Sequence, residues 1–238
     1  MDPSGKVAVI TGASSGIGLA CARRLAAGGR AESVVTDVVS EADVARLTAR
    51  AVEAFGTVDI MICNAGFGYY GTVEQTPAAT MQRMLDVNFM GTFHAAHAAL
   101  PIFRARGSGH LVIMSSIVGR RGIPLMSGYT ATKAAQAGFA ESLRSELAGT
   151  DIHVTAVYPI STESEFRNAM TRDFGHAVSG LGPKQSADDV ADAVLACVRR
   201  PRPEVYPHRW SRGLTLLNAA VPGWTDRLVR RYGRRREI

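Results

Sequence analysis

Cysteine is scarce: the 238 residues contain three, Cys21, Cys63 and Cys197. Scattered and odd in number, they argue against a disulfide framework and fit a reducing compartment, so a cytoplasmic location is expected. They also lack the close spacing of a zinc site, and no metal is expected. No uninterrupted apolar run of about 18 residues occurs, which argues against a membrane-spanning helix. The opening Met-Asp-Pro-Ser-Gly-Lys has no apolar segment of the kind a signal peptide carries. Internal repeats and low-complexity linkers are absent too. What remains is 46% apolar residues in a length suited to one α/β domain with a substantial core.

The net charge of +6 is unevenly placed. Residues 1–198 carry 16 Lys/Arg against 18 Asp/Glu, whereas residues 199–238 carry 11 Arg against 3 acids. The basicity belongs to a C-terminal segment. Residues 1–200 therefore read as the main domain and residues 201–238 as an amphipathic, Arg-rich helical extension.

Residues 6–11 (Lys-Val-Ala-Val-Ile-Thr) have the short apolar pattern of a buried parallel strand. Thr11-Gly12-Ala13-Ser14-Ser15-Gly16-Ile17-Gly18 follows directly, then a helical pattern to about residue 27. In a strand–turn–helix setting such glycines permit a tight turn and close backbone approach, and the helix N-terminus suits a pyrophosphate. The alternation continues. A strand end is expected at residues 34–37, a helix at 41–55 and a strand at 58–63 ending in Asn64-Ala65-Gly66. A long helix at 77–106 contains Asn88, and a strand at 110–114 closes on Ser115-Ser116. A helix from 127, a strand at 152–158 and a helix at 187–198 complete the series. Strands alternating with helices predict a Rossmann-like, doubly wound parallel sheet with its ligand at the strand C-termini.

Tyr129 and Lys133 lie four residues apart, so a helix places them on one face. An ammonium one turn away favours a phenolate and brings tyrosine's pKa toward the working range. Alone, this spacing is a common accident of half-exposed helices. The upstream motifs give it weight.

Thr11 to Gly18, Asn64-Ala65-Gly66, Asn88, Ser116 and Tyr129-x-x-x-Lys133 fall in the order found in short-chain dehydrogenases/reductases. The chain resembles a single-domain member of that family over about residues 5–200. The resemblance implies an NAD(P)-dependent oxidoreductase interconverting a ketone or aldehyde with an alcohol, the cofactor supplying the hydride. Tyr129 would be the acid/base. Lys133 would lower its pKa and bond the nicotinamide ribose. Ser116 would hold the substrate oxygen, and Asn88 would help place Lys133 through a water. Gly12, Ser14, Ser15, Gly16, Ile17 and Gly18 would form the pyrophosphate turn. Asp37 would lie near the adenine, and Asn64, Ala65 and Gly66 beside the adenine ribose. Pro159 and Thr162 would sit at the carboxamide. A homodimer or tetramer, paired through the Tyr129 helix and the long helix before it, is also implied.

Two departures stand out. Between Gly18 and Asn64 the chain is short by roughly 25 residues, about one strand–helix crossover unit. The unit absent is the second strand with its helix, whether by natural deletion or because a segment is missing from the sequence. Ala26-Ala27-Gly28-Gly29 can end either the first or the second helix. The absent strand would carry the residue that distinguishes NAD from NADP; if residues 33–36 stand in for that strand, Asp37 would favour NAD, whereas Arg30 facing a 2′-phosphate would favour NADP. The preference is left open. The second departure is Pro159-Ile160-Ser161-Thr162, where the family commonly has Pro-Gly before a threonine. Ser161 or Thr162 can still supply a hydroxyl.

On the substrate side, Phe67, Tyr69 and Tyr70, with Phe166, Met170 and Phe174, are apolar candidates that would suit an apolar carbonyl or alcohol. Past Arg199, Trp210, Leu214, Leu216, Leu217, Val221, Trp224, Leu228, Val229 and Tyr232 interleave with arginines. Two readings are open: packing on the domain or a partner subunit, or an interfacial segment on an anionic membrane. Nucleic-acid binding is not expected, since no recognition module accompanies the charge. Rival functions are a catalytically silent binding protein, motivated by the absent unit, and an epimerase or dehydratase using the same Tyr/Lys pair.

Overall fold

A computed structural model describes residues 3–27, 29–163 and 184–233, the last three as backbone only. Strand β1 (Ala8–Ile10) leads through the glycine turn into α1 (Gly16–Leu25); α2 (Glu41–Phe55) and β2 (Ile60–Cys63) follow. Next come α3 (Ala78–Met84), a π-helical turn (Leu85–Met90) and α4 (Gly91–Arg106), so the long helix expected at 77–106 is interrupted by a widened turn. Strand β3 (Ser108–Met114), a 3-10 turn (Ile117–Gly119), α5 (Ser127–Glu146) and β4 (Asp151–Val157) complete the centre. Two short strands, β5 (Thr162–Glu163) and β6 (Gln185–Ser186), pair with each other; α6 (Ala187–Arg199), β7 (Glu204–Val205), α7 (Arg209–Ala220) and α8 (Pro222–Gly233) end the description.

The main sheet is parallel throughout, in the order β1-β2-β3-β4-β7. Its central strands are apolar on both faces because helices cover both. On one side Val44 of α2, Ala95 and Phe103 of α4 and Ala140 of α5 pack against Met61, Leu111 and Val154. On the other, Ala20 and Cys21 of α1 with Val190 and Val194 of α6 pack against Ile60, Ile62 and Val112. Phe103 illustrates the fit. It is fully buried, and a Cβ at Gly109 would stand 2.2 Å from its ring, so only glycine fits there. Helix ends follow local chemistry: the Ser40 hydroxyl caps α2 at Asp43 N, Gly56 closes it at φ 84°, and Ser186 with Asp189 forms a capping box on α6.

The strand end expected at residues 34–37 does not form. Among the described residues, nothing from 26 to 40 joins the sheet, and Val35 is 97% exposed. With its crossover helix absent, the segment has no way to return parallel to β1. Val38 anchors it instead, packing where a Cβ on Gly91 would clash at 2.9 Å, while its carbonyl meets His94 Nδ1 at 3.1 Å. Strand β1 is consequently an edge strand. Beyond the domain, α7 and α8 are tied to the residues after the 3-10 turn: Arg121 pairs with Asp226 at 2.7 Å, and Asn218 Nδ2 donates to the Arg120 carbonyl at 3.4 Å.

Candidate active site

The C-terminal ends of β1 and β2 are stitched together by side chains. Thr11 Oγ1 accepts from the backbone N–H of Asn64 and Ala65 at 3.0 and 3.1 Å, and Asn64 Nδ2 donates to the carbonyls of Thr11 and Gly12, both at 3.1 Å. Both Asn64 amide hydrogens are thereby used to hold the glycine turn. Gly12 and Gly16 sit at φ 66° and 54°, a region that favours glycine. Gly18 serves close approach, since a Cβ there would stand 2.2 Å from the Gly12 carbonyl oxygen. Helix α1 begins at Gly16, and Ser15 at its N-cap makes no side-chain capping bond. Ser14 and Ser15 are exposed and Ile17 is half-buried beside them. An uncapped helix start on a glycine turn presents N–H groups and a partial positive charge to an anion.

A second group gathers one layer over. Asn88, fully buried in the π turn, bonds the Phe67 backbone at both ends: its Oδ1 accepts from Phe67 N and its Nδ2 donates to Phe67 O, each at 2.9 Å. Nδ2 also donates to Thr132 Oγ1 of α5 at 2.9 Å. Gly66 fits between the two elements, since a Cβ there would lie 2.9 Å from Asn88 Oδ1 and 3.6 Å from Lys133 Nζ. Lys133 donates from Nζ to the Met114 carbonyl at 2.8 Å and to Gln136 Oε1 at 2.9 Å, which leaves one of its three N–H groups for another acceptor. The Gln136 amide also links Asn88 with Lys133, its Nε2 donating to the Asn88 carbonyl at 2.8 Å. Burial depresses the Lys133 ammonium to about 7.

The third group holds the reactive hydroxyls. Ser116 hydrogen-bonds the Tyr129 phenol. Its hydroxyl also lies 3.4 Å from Val118 N and 3.5 Å from the Pro159 carbonyl. Gly119 backs the α5 backbone, where a Cβ would meet Lys133 at 2.7 Å. Tyr129 is buried among Met84, Val118 and Met126, with Phe67, Tyr69, Tyr70, Met81, Ile117 and Ile123 around them. Lys133 Nζ lies 5.6 Å from the Tyr129 ring centroid. Burial raises the phenol's pKa well above the usual tyrosine range, and the Ser116 hydrogen bond is the opposing influence.

For Asp37, Arg30 and Thr162 the described contacts are local. Asp37 is exposed; its Oδ1 accepts from Val39 N at 3.0 Å and its N–H donates to Asp43 at the start of α2. Arg30 lies over the Phe55 ring at 5.2 Å. Thr162 Oγ1 donates to its neighbour Ile160 at 2.9 Å. Phe166, Met170 and Phe174 lie outside the described residues, as do Arg234, Arg235 and Arg236. Gln136 was missed from sequence. Its signal was position: seven residues past Tyr129 it shares that helix face, a polar side chain where the pattern calls for an apolar one.

The family model for the short chain dehydrogenase matches residues 26–174, more than half the chain. The chain belongs to the short-chain dehydrogenase family. A relative, the uncharacterized oxidoreductase YxnA of Bacillus subtilis, is 30% identical over 94% of this chain and 71% of its own. That alignment runs over 256 positions, whereas 94% of 238 residues is about 224, so about 32 positions of the relative have no counterpart here. The difference is the size of one strand–helix unit. Glycine betaine reductase ATRR of Emericella nidulans is 33% identical over 83% of this chain, which spans 18% of that protein's length. Among solved structures, a Burkholderia phymatum short chain dehydrogenase/reductase in complex with NAD superposes with a TM-score of 0.85, 26% identity and coverage of 94% and 96% of the two chains. A Burkholderia cenocepacia short chain dehydrogenase in complex with NADP gives 0.82, 26%, and 96% and 99%. The short-chain dehydrogenase described here thus has the family's Rossmann-like fold on a five-stranded sheet.

Proposed function

We propose that this short-chain dehydrogenase is an NAD(P)-dependent oxidoreductase interconverting a ketone or aldehyde with the alcohol, with Tyr129 as acid/base. The carrying observation is the Ser116–Tyr129 hydrogen bond inside an apolar cluster, one helical turn from a buried lysine. The residues present fit a nicotinamide dinucleotide at two places. The uncapped start of α1 with Gly12, Ser14, Ser15, Gly16, Ile17 and Gly18 suits the pyrophosphate, and the remaining Lys133 N–H suits the nicotinamide ribose. Asn64, Ala65 and Gly66 lie where the first site adjoins the second. Pro159 and Thr162, which follow β4, would meet the carboxamide. Asp37 is the candidate at the adenine. Either NAD or NADP is compatible with this set, and solved relatives hold each.

When bound, the cofactor supplies or accepts the hydride. The chain's own residues handle the oxygen. Ser116 Oγ, held between the phenol and the Pro159 carbonyl, donates to a substrate oxygen entering beside Tyr129. The phenol, kept protonated by burial, gives its proton to that oxygen during carbonyl reduction. Alcohol oxidation needs the phenolate and rises with pH for the same reason. Phe67, Tyr69, Tyr70 and Ile123 exclude water and favour an apolar substrate. Tyr129→Phe should lower turnover by at least about a hundredfold with cofactor affinity within about threefold of wild type; undiminished turnover would defeat the assignment.

The rival is a silent fold that binds no dinucleotide, motivated by the open edge of β1. Titration of the folded protein with NADH and with NADPH, followed by nicotinamide fluorescence, separates the two. Saturable binding of either supports the enzyme, and its absence supports the rival.

Two associations belong to the same reading. Self-association is assigned to α4 and α5, where the rings of Phe89, Phe93 and Phe139 cluster and Phe93 is 39% exposed; light scattering of Phe93→Glu against wild type tests it. The α7–α8 pair exposes Trp210 (82%), Leu216 (62%) and Trp224 (53%) beside Arg209, Arg212, Arg227 and Arg230, a surface suited to an anionic bilayer. Among the described residues no helix is long and apolar enough to cross a membrane. Co-sedimentation with phosphatidylserine vesicles should weaken in the Trp210→Ala, Trp224→Ala double variant; equal sedimentation rules the surface out.

A further inference from the structure

Gln136 lies on α5, fully buried, and every polar atom of its amide is engaged. Nε2 donates to the Asn88 carbonyl at 2.8 Å and to Thr92 Oγ1 at 2.7 Å, while Oε1 accepts from Lys133 Nζ at 2.9 Å. Thr92 Oγ1 also donates to the Asn88 carbonyl at 2.8 Å, so Thr92 is an acceptor toward Gln136. The donor–acceptor pattern therefore fixes the amide in one orientation, with its oxygen facing the ammonium. The π turn assists, because its altered backbone bonding turns the Asn88 carbonyl toward side chains of α4 and α5.

We propose that Gln136 is the positioning residue of Lys133: its amide spans from the Asn88 carbonyl to Lys133 Nζ and aims the remaining N–H toward the site. The amide is tethered to the α5 backbone and engaged at both ends, so the bridge is rigid. With the Met114 carbonyl as second acceptor, Nζ can rotate only by giving up a buried hydrogen bond. The catalytic use of that N–H rests on the oxidoreductase reading, but the bridge itself does not.

The groups around Nζ are the Met114 carbonyl of β3, Gln136 on its own helix, Gly66 after β2, and the amide of Asn88 in the π turn. Among the described groups that face it, Tyr129 alone titrates. Burial already disfavours the ammonium, and Oε1 opposes that. Loss of Oε1 should thus move Lys133 titration down, and a carboxylate in its place should move it up.

The chain has three lysines, Lys6, Lys133 and Lys184, so protein labelled with carbon-13 at lysine Cε gives a countable NMR spectrum, assigned with Lys133→Met. The Lys133 midpoint should fall by about one pH unit in Gln136→Met and rise by about one in Gln136→Glu. NADH and NADPH titrations of the same proteins should show affinity weakened about tenfold at neutral pH in Gln136→Met and restored in Gln136→Glu. Circular dichroism checks the fold. If Gln136→Met does not fold, Gln136→Glu decides alone, and a midpoint within about 0.2 unit of wild type overturns the proposal. Unmoved midpoints in both folded variants overturn it equally. A wild type that binds neither cofactor while its Lys133 midpoint responds as expected supports the bridge and defeats the oxidoreductase reading.

Discussion

Two glycine-to-alanine changes of identical chemistry should have opposite effects. At Gly18 a new Cβ would stand 2.2 Å from the Gly12 carbonyl oxygen, 2.9 Å from its carbon and 2.5 Å from Asn64 Nδ2. The first two are backbone atoms, and the third is pinned by two hydrogen bonds. Relief means moving the turn by about 1 Å, which breaks both Asn64 bonds at about 1 kcal/mol each and adds about 1–3 kcal/mol of overpacking. Alanine's helix propensity returns about 1 kcal/mol, for a net loss of about 2–4 kcal/mol. In a chain of this size that lowers Tm by roughly 5–15 °C. Gly138 is exposed in α5 with nothing within 4 Å of its built Cβ, so Gly138→Ala should raise stability by about 0.5–1 kcal/mol. Differential scanning calorimetry on both reads the contrast. A Gly18→Ala protein melting within about 2 °C of wild type would refute the close-packed turn.

Three other expectations concern stability. Asp59 is 3% exposed and accepts from Val7 N and Arg106, each at 2.9 Å, with Lys6 at 3.5 Å; Asp59→Ala should cost about 1–3 kcal/mol by urea denaturation, its cationic partners being exposed enough to rehydrate. Burial and then the neighbouring His153 depress His110 to about 3, so it stays neutral in the fold while the unfolded chain takes up a proton below about 6.5. Stability should therefore fall on acidification from about pH 6.5 toward 3, by up to about 1.4 kcal/mol per unit from this group, and His110→Gln should remove that share of the slope. Leu125, after Pro124, holds φ at 66° without being glycine; Leu125→Val should be at least about 1 kcal/mol less stable than Leu125→Gly in chemical melts, and the reverse order would show that side-chain packing outweighs the turn.

The motif residues were legible because each has a local reason to be where it is. Gly18 follows a strand, Ser116 ends one, and Tyr129 and Lys133 share a helix face. The strand at residues 34–37 was misread because Val34-Val35-Thr36 has β propensity, yet a strand forms only where a neighbour can be reached, and the short connection forbids it. Shortness itself was visible in the count of residues between Gly18 and Asn64, though what it does to the sheet was not. The π turn left no trace in the periodicity of α3 and α4. The four-residue spacing put Lys133 on the face of Tyr129, but it could not report their burial or the Met114 and Gln136 oxygens that accept from Nζ. Gln136 required the tertiary contact with Asn88.

The open edge of β1 bears on how affinity is shared along a dinucleotide. On the proposed reading, the nicotinamide end would meet the buried Tyr129 and Lys133 of α5, and the phosphates would meet the start of α1. The adenosine end would meet a three-residue edge strand and an exposed segment around Val35. Most of the binding energy would then come from one half of the ligand. Reduced nicotinamide mononucleotide should compete nearly as well as the full dinucleotide, and adenosine fragments should compete poorly. On the proposed reading, such a protein would discriminate weakly at the adenosine 2′ position, and NADH and NADPH should bind with similar affinity.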